Sequence, residues 1–382
     1  MMYSFFYVAL LSACVLFSVA NAAAQNNTDD VNAEGGVSAP LPAYELPGTQ
    51  TFSINSLATG HDYNIVVSLP GSYASAPEGK VYPVLYVLDA QWQFPLIYTA
   101  TGAVIHDGDM PEAIVVGISW RETNGNLMAL RNVDLTPTTS AGDPTSGHAD
   151  KFQNFLRKEL FPHIESTFKA SKDRTVTGGS TSALFVFYTL ISQPDLFRGY
   201  IASSPSIYWD KQVMFKLLKD FSPDIIPQGT RAYLAWGSLE NATEIQLFAE
   251  QLAAKKAKNL AFRFAEVSNA GHAAVNPECY VRGFQFVYAK PSLRLPSTYL
   301  KSLTGTYKST VHEFAIKVTF ADGKLRVQYP EGDSYSLEAA AEREFYARGN
   351  GLAFYFIFDA QHKLQGLEQV AHGDTIALVK IQ

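Results

Sequence analysis

A serine stands directly after two glycines near the middle of the chain, in the segment Gly178-Gly179-Ser180-Thr181-Ser182. A short β-type run precedes this segment and a long apolar run follows it. The order predicts a strand, a sharp turn and a buried helix, which together form the nucleophile elbow that exposes a catalytic serine. The elbow motif reads G-x-S-x-G, and here Ser182 replaces the last glycine. The segment therefore favours Ser180 as a nucleophile.

A serine hydroxyl attacks a carbonyl at neutral pH only when a base takes its proton and a carboxylate orients that base. In elbow-type sites the acid and then the histidine follow the serine along the chain. Glu240 and His272 satisfy that order, and each comes just after a predicted strand. Glu244 lies one helical turn beyond Glu240 and is an alternative acid. We predict a catalytic triad of Ser180, Glu240 and His272.

Two other side chains could act as nucleophiles. Ser182 would sit in an elbow with no glycine at either required position, although the turn needs small residues to tolerate its strained backbone. Cys279 has no cationic neighbour in sequence that would lower the pKa of its thiol. Both residues are predicted to be structural.

The tetrahedral intermediate of acyl transfer needs two N–H groups that bind its oxyanion. Thr181, the residue after the predicted nucleophile, supplies one of them. The loop after the apolar run Tyr82–Leu88 should supply the other, at Gln91, because this loop faces the elbow in such folds. We predict backbone N–H donors at Thr181 and Gln91.

Several other chemistries are excluded by what the sequence lacks. The eight histidines show neither H-x-x-x-H nor H-E-x-x-H spacing, and no C-x-x-C pair exists. No glycine-rich phosphate loop or dinucleotide fingerprint is present. We therefore expect no metal and no cofactor. The net charge of −6 and the lack of an extended Lys/Arg cluster argue against a nucleic-acid partner. The oligomeric state stays open.

The elements that must position these residues alternate between strands and helices. The apolar runs Tyr82–Leu88 and Ala113–Ile118 predict strands buried on both faces, and Thr51–Ser56 with Asn64–Leu69 predicts an edge hairpin. Strands that alternate with helical segments indicate a mainly parallel sheet with helices on both faces. Such α/β sheets bind ligands at the carboxyl ends of their strands, where the predicted site residues fall.

Two segments between these strands carry further signals. Residues 121–147 are rich in polar and turn residues, which predicts a long irregular stretch lining a functional site. Between residues 152 and 168, apolar residues recur every three or four positions and predict a helix, which Pro162 should kink.

The N-terminus is typical of an export signal. Residues 5–19 are almost wholly apolar, and the cleavage pattern Ala20-Asn21-Ala22 follows. We predict a signal peptide over 1–22, with lipid anchoring at Cys14 as a minor alternative, and a flexible leader over 23–42. No later stretch reaches about 18 consecutive apolar residues, so no transmembrane segment is expected in the mature chain.

The residue composition and the predicted pattern of strands and helices change near residue 290. We assign residues 43–290 to a catalytic α/β domain and residues 291–302, which include Pro291 and Pro296, to a linker. Residues 303–382 show short alternating strands separated by turn residues, which predicts a small antiparallel β domain. That domain has no Ser/His/Asp set of its own, so we expect a lid, a brace or a docking module.

Four further motifs resemble the putative-esterase family of α/β-hydrolases, which includes ferri-siderophore esterases, S-formylglutathione hydrolases and mycolyltransferase-like proteins. The resemblance covers roughly residues 48–290. Its motifs are Pro83-Val84-Leu85-Tyr86-Val87-Leu88-Asp89, Arg131-x-x-Asp134-Leu135-Thr136-Pro137, Phe152-x-x-Phe155-Leu156-x-x-Glu159-Leu160-x-Pro162-x-Ile164 and Ser204-Pro205-Ser206-x-x-Trp209.

The resemblance implies an α/β-hydrolase fold, the nucleophile at Ser180, the base at His272 and the acid at Glu240. The family's usual Gly-His-Ser-x-Gly-Gly reads Gly178-Gly179-Ser180-Thr181-Ser182-Ala183 here, and the β domain is absent from the simplest members.

We predict an exported serine esterase that hydrolyses carboxylic esters through an acyl-enzyme intermediate. The motifs that begin at Arg131 and at Ser204 look closest to siderophore esterases, which implies a small-molecule ester substrate such as a siderophore-type lactone. Arg131 is a candidate for holding an anionic group of the substrate, and Trp209 for an apolar wall; a structural role is open for both. The alternative function is a hydrolase-fold protein that has lost its chemistry and serves as a binding or scaffold module.

Overall fold

The computed structural model of the chain describes residues 45–121, 126–371 and 374–381. The predicted signal peptide with Cys14 and the predicted leader over 23–42 lie outside these residues. Leu46–Gln382 forms one compact unit.

Two groups of strands make up the β structure of the described residues. The first group forms an open sheet: β1 (Thr49–Asn55), β2 (Asp62–Ser68), β3 (Tyr82–Val87), β4 (Ile114–Trp120), β5 (Ala170–Gly179), β6 (Gly199–Ser203), β7 (Thr230–Gly237) and β8 (Leu260–Val267). The second group forms a closed barrel: β9 (Gly305–Ser309), β10 (Ala315–Ala321), β11 (Lys324–Gln328), β12 (Ser334–Ala339), β13 (Glu344–Ala347), β14 (Leu352–Phe358), β15 (Leu364–Ala371) and β16 (Asp374–Lys380).

Helices connect the strands of the open sheet, and one short helix leads into the barrel. They are α1 (Ala90–His106), α2 (Leu127–Leu135), α3 (Ala149–Phe155), α4 (Phe161–Thr167), α5 (Thr181–Ser192), α6 (Trp209–Asp220), α7 (Thr243–Ala254), α8 (Asn276–Val287) and α9 (Ser297–Ser302). A π-helical turn spans Leu156–Leu160, and a 3-10 turn spans Pro223–Ile225.

The open sheet has the strand order β1-β2-β4-β3-β5-β6-β7-β8. The pairs β1–β2 and β2–β4 are antiparallel, and every other neighbouring pair is parallel. Buried apolar residues lie on both faces, because helices cover the central strands on each side. The predicted mainly parallel sheet, with a hairpin at its edge, is confirmed.

Two local predictions differ from the structure. The stretch predicted to be irregular contains α2, whose first turn is capped by the Asn126 side chain accepting from the Ala129 N–H at 3.0 Å. The helix predicted over 152–168 is divided by the π-helical turn, in which the Phe161 N–H bonds to Leu156 O. Pro162 has no N–H for a regular bond four residues back, so the preceding turn widens.

The C-terminal barrel closes through its first and last strands. β9 pairs with β10 on one side and with β16 on the other, so no strand edge is left unpaired. The interior is filled by large side chains, among them Tyr307, Phe345, Phe354 and Phe356. The predicted separate antiparallel β domain is confirmed, although the sequence patterns did not reveal β12, β13 or the closure. In the predicted linker, residues 297–302 form α9.

Among the described helices, none combines the length and apolar character that crossing a bilayer would require.

Candidate active site

Ser180 occupies the corner between β5 and α5, as the sequence predicts. Its backbone has φ 61° and ψ −118°, a region that non-glycine residues rarely adopt. Hydrogen bonds hold it there, because the Ser180 N–H donates to Ser203 O at 2.9 Å and Ser180 O accepts from Leu184 N–H at 3.0 Å. This geometry projects the hydroxyl beyond the carboxyl end of β5.

Ser182, the rival nucleophile, lies behind this corner. It is fully buried, its hydroxyl donates to Gly179 O at 2.8 Å, and the Gly179 N–H donates back to it at 2.9 Å. A Cβ built on Gly178 would come within 2.8 Å of Ser182 Cβ. The glycine at position 178 therefore makes room for the serine at position 182.

The Ser180 hydroxyl meets a second serine that follows β6. Ser180 Oγ lies 3.3 Å from Ser206 Oγ, and the Ser206 N–H donates to Ser180 O at 3.2 Å. Ser206 is only 2% exposed. The segment after β6 thus packs directly against the elbow.

Glu240 and His272 form the second part of the site. His272 Nδ1 lies 2.9 Å from Glu240 Oε2, in the turns that follow β8 and β7. The imidazole is 53% exposed, whereas the carboxylate is only 12% exposed. Glu244 lies elsewhere, with Gln212 Nε2 3.5 Å from its Oε1. The structure therefore brings Glu240, and not Glu244, to the histidine.

The other oxygen of Glu240 is held by two donors. The Gly237 N–H donates to Oε1 at 2.6 Å, and the Ser204 hydroxyl donates to the same atom. Burial alone would raise the pKa of Glu240, but these donors together with His272 lower it below its usual value. An ionised carboxylate can only accept, so Nδ1 of His272 is the donor in this hydrogen bond.

No hydrogen bond joins Ser180 to His272 in the described part of the chain. Catalytic hydrogen bonds are often long before substrate binds. The structure therefore forms two pairs, Glu240 with His272 and Ser180 with Ser206. The segment after β6 connects them, because its Ser204 contacts Glu240 and its Ser206 contacts Ser180.

Thr181 and Gln91 lie in the first turns of α5 and α1, where N–H groups have no intrahelical partner. These helices follow β5 and β3, which are neighbouring parallel strands in which Val87 is paired with Thr177. Both N-termini consequently open at the same edge of the sheet. The side-chain amide of Gln91 is buried, and neither its oxygen nor its nitrogen has a hydrogen-bond partner among the described residues.

Arg131 lies beneath the elbow. Its side chain is only 8% exposed, and Nε donates to Asp89 Oδ2 at 2.7 Å. Nη2 donates to Gly179 O at 3.0 Å and Nη1 to Thr181 Oγ1 at 3.1 Å. Burial raises the pKa of Asp89, although the Arg131 guanidinium opposes the increase. The guanidinium therefore links the end of β3 to both sides of the elbow.

Trp209 begins α6 and is half-buried against the main core. Its indole Nε1 donates to Thr138 O at 3.0 Å. The ring thus fastens the segment after α2 to the start of α6.

The remaining nucleophile considered from sequence, Cys279, is fully buried in α8. Burial raises the pKa of its thiol to about 12, and Sγ lies 3.4 Å from Ala202 O. Such a thiol does not form a reactive thiolate at neutral pH.

Sequence reasoning missed the contacts of three residues. In the sequence, Ser204 and Ser206 stand out only as part of a motif, yet in the structure they contact Glu240 and Ser180. Asp89 likewise stands out only at the end of a motif, although it accepts a hydrogen bond from Arg131. Their positions carry a signal, because Asp89 lies just beyond the carboxyl end of β3, and Ser204 and Ser206 lie just beyond that of β6.

Within residues 45–121, 126–371 and 374–381, no three His, Cys, Asp or Glu side chains are grouped so that they could hold a metal ion.

Comparison with known proteins gives consistent matches. The chain matches the family described as Putative esterase over residues 56–278, a range that ends before the barrel begins. The ferri-bacillibactin esterase BesA of Bacillus subtilis is 32% identical over 290 residues, which covers 69% of this chain and 95% of the relative. The siderophore triacetylfusarinine C esterase of Aspergillus fumigatus is 30% identical over 216 residues, covering 53% of this chain and 70% of that protein.

Solved structures agree with these matches. The BES protein from Bacillus cereus superposes with a TM-score of 0.60 at 26% identity, covering 66% of this chain and 99% of the other. The siderophore hydrolase EstB from Aspergillus nidulans superposes with a TM-score of 0.57 at 22% identity, covering 65% and 98% of the two chains, a likeness of fold alone. The resemblance noted from the sequence motifs is confirmed, and the chain belongs to the putative esterase family.

Proposed function

We propose that this protein hydrolyses carboxylic esters through an acyl-enzyme intermediate formed on Ser180. The observation that carries the proposal is the backbone of Ser180, held at φ 61° between β5 and α5. Backbone strain of this kind persists where the surrounding structure enforces it, and it is concentrated at functional sites. The elbow exposes one hydroxyl at a sheet edge where the imidazole of His272 also lies.

In the proposed reaction, Ser180 Oγ attacks the ester carbonyl carbon while His272 Nε2 takes its proton. The bond between the carbonyl carbon and the ester oxygen then breaks, and the alcohol leaves with the proton from Nε2. Water attacks the acyl-enzyme, His272 again takes a proton, and Ser180 is regenerated as the acid is released. The cycle requires Ser180 Oγ to exchange its contact with Ser206 for one with His272.

Glu240 supports the proton transfer as a fixed anion. Its carboxylate accepts from His272 Nδ1 and stabilises the imidazolium that forms during attack. The lowered pKa of Glu240 keeps this carboxylate ionised. Its second oxygen is occupied by Gly237 and Ser204, so the carboxylate cannot rotate freely away from the histidine.

The oxyanion would be bound by the N–H groups of Thr181 and Gln91. Both groups lie at helix N-termini, where the helix dipole favours negative charge. Each such donor is worth about 3 kcal/mol of transition-state stabilisation.

For Arg131 and Trp209 we propose positioning roles instead of direct substrate binding. The Arg131 guanidinium donates to Asp89, Gly179 and Thr181. Trp209 donates to Thr138 O. Because these donors are already used in hydrogen bonds within the protein, Arg131 holds the elbow in place and Trp209 holds the neighbouring loop.

The substrate we propose is a siderophore ester, as the names of the relatives suggest. Three large exposed side chains support an apolar substrate surface, since Trp92 is next to Gln91, Tyr208 is close to Ser206 and Leu239 is next to Glu240. Their exposed fractions are 50%, 67% and 71%. Each of the three lies within two residues in sequence of Gln91, Ser206 or Glu240, and exposed apolar groups beside a site typically mark ligand or partner contacts.

The test is acylation of Ser180. We expect stoichiometric labelling by a fluorophosphonate and hydrolysis of p-nitrophenyl esters, both lost in Ser180→Ala. Ser182→Ala is the matched control, because it removes a buried hydroxyl only two residues along the chain, and it should keep the labelling. Full turnover by Ser180→Ala would overturn the serine mechanism. An unlabelled, inactive wild-type protein would instead support the scaffold alternative.

We also propose that the chain is exported by means of residues 1–22. The apolar stretch and the cleavage pattern in the sequence support this proposal. Cell fractionation and N-terminal sequencing of the mature protein test it. A cytosolic protein that retains Met1 would contradict it, and a lipid on Cys14 would favour anchoring.

A further inference from the structure

A cavity of about 330 Å³ lies where the C-terminal barrel meets the α/β sheet. The two parts are joined there by the backbone. The Gly351 N–H donates to Asp107 O at 2.8 Å, and the Leu293 N–H donates to Ala339 O at 2.8 Å. Gly108, at φ 73°, approaches Gly351 so closely that a Cβ would lie 3.0 Å from Gly351 Cα. The walls of the cavity are thus fixed by direct contacts.

The cavity is strongly cationic in a chain whose net charge is −6. Its lining holds five basic side chains and two acidic ones. The basic residues are Arg231, Arg263, Arg282, Lys290 and Arg348, and the acidic ones are Asp109 and Glu338.

Two of the five cations have partners of their own. Arg231 Nη1 donates to Phe286 O at 2.9 Å, and Arg282 lies 3.9 Å from Glu278 and 3.1 Å from Gln285 Oε1. By contrast, Arg263, Lys290 and Arg348 make no side-chain hydrogen bond or ion pair within the described residues.

The two acidic side chains form no ion pair with Arg263, Lys290 or Arg348 within the described residues. Asp109 accepts from Gln285 Nε2 at 2.9 Å. Glu338 pairs with Lys324 at 3.8 Å, outside the cavity lining, and accepts from the Tyr346 hydroxyl at 3.2 Å. The positive charge of the cavity is therefore not cancelled by its own acids.

The negative ends of two helix dipoles offset only part of this positive charge. α1 and α8 both end beside the cavity, and each helix C-terminus carries about half a negative charge. Five basic minus two acidic side chains leave three positive charges, so the two helix ends offset about one of them. A surplus of about two charges remains.

We propose that this cavity binds a compact anion that carries at least two negative charges on phosphate or carboxylate groups. Guanidinium forks match both groups in a bidentate way, and Arg263 and Arg348 supply two unpaired forks from the two sides of the junction. Two of the cations make cation–π contacts. Arg263 lies 4.8 Å from the Phe286 ring centre, and Lys290 lies 5.2 Å from the Tyr346 ring centre. The volume is at the small end of ligand pockets.

Isothermal titration calorimetry on the full mature chain tests the site, with pyrophosphate and citrate as separate probes at constant ionic strength. We expect saturable one-to-one binding of at least one probe, and the probe that binds tells phosphate from carboxylate. The double variant Arg263→Gln/Arg348→Gln should weaken binding at least tenfold. Arg326→Gln, which removes an exposed charge on β11 that does not line the cavity, should leave binding unchanged.

Thermal unfolding without anion shows whether each variant is folded, and exposed residues such as Arg348 should be replaceable without loss of stability. Ser180→Ala should bind the probe as the wild type does, so the outcome is independent of the esterase mechanism. Absence of binding of both probes to the wild type would overturn the proposal. Equal affinity of the double variant and the Arg326→Gln control would overturn it as well.

Discussion

Ser182 and Gly179 exchange two hydrogen bonds across the turn between β5 and α5. The Ser182 hydroxyl donates to Gly179 O at 2.8 Å and accepts from the Gly179 N–H at 2.9 Å. The serine stands where the elbow motif has its last glycine, so it closes the strand onto the first turn of the helix with its side chain. The departure from the motif is thus accommodated by additional bonding and by the absent side chain of Gly178.

The first prediction follows from this pair of bonds. Ser182→Ala should lower the free energy of unfolding by about 1–3 kcal/mol, because the buried Gly179 N–H loses the Ser182 hydroxyl and Gly179 O keeps only its bond from Arg131. Ester turnover should fall much less than in Ser180→Ala. Chemical denaturation and p-nitrophenyl ester kinetics measure the two effects. A variant of unchanged stability would show that these bonds contribute nothing.

Glu240 and Glu244 provide a matched pair for the second prediction. Glu240→Gln should reduce kcat on the order of 10²-fold or more, because the amide no longer supplies the charge that stabilises the imidazolium. Glu244→Gln removes the same charge four residues away and should leave kcat unchanged. Steady-state kinetics of both variants measure the two changes in kcat. Equal losses would argue against a specific role for Glu240.

The buried pair of Arg131 and Asp89 gives the third prediction. Arg131→Met should lower the free energy of unfolding by about 3–5 kcal/mol, since it leaves the Asp89 charge buried and unpaired. The double variant Arg131→Met/Asp89→Leu should recover part of this loss. Denaturant unfolding of the wild type, of Arg131→Met, of Asp89→Leu and of the double variant forms a double-mutant cycle.

The kinetics of Arg131→Lys, which retains the positive charge, separate positioning from substrate binding. Lysine cannot make the same three-way bond to Asp89, Gly179 and Thr181. If Arg131 positions the elbow, kcat should fall with KM nearly unchanged. A rise in KM alone, specific to anionic esters, would instead support substrate binding.

Local patterns predicted much of the α/β sheet because its strands are buried on both faces. An uninterrupted apolar run such as Tyr82–Leu88 is a strong signal, and the elbow could be located from residue order alone. The contacts of Ser204 and Ser206 could not be predicted in this way. They depend on how β6 and β7 align beside β5, which is a property of tertiary packing.

The fold of the barrel could likewise be predicted only in part from local sequence patterns. Alternating residues predicted β10, β11, β14, β15 and β16, but they did not reveal β12 or β13, of which β13 has only four residues. Closure depends on pairing Leu378 with Ser309, which are far apart in sequence. No local pattern specifies such a long-range pairing, so the sequence predicts an antiparallel β domain but not its closure into a barrel.

His61 gives a prediction about pH. Its Nδ1 lies 3.1 Å from both carboxylate oxygens of buried Asp134, which also accepts from Tyr63 and Trp120 at 2.6 Å. The hydrogen bond with Asp134 raises the pKa of His61 above 6.5, against the opposing effect of burial. A raised pKa means that the folded protein favours the protonated imidazole. The resulting stabilisation is complete below the unfolded pKa and is lost as pH rises through the folded pKa.

His61→Gln should therefore cost more stability at pH 5.5 than at pH 8.5, by about 1–2 kcal/mol, because glutamine keeps a polar group but cannot become charged. Denaturant unfolding of the wild type and the variant at both pH values gives this difference directly. His312→Gln, at an exposed position on the barrel, is the control for the general effect of losing a histidine. A difference that is the same at both pH values, or larger at pH 8.5, would contradict the link between His61 and Asp134.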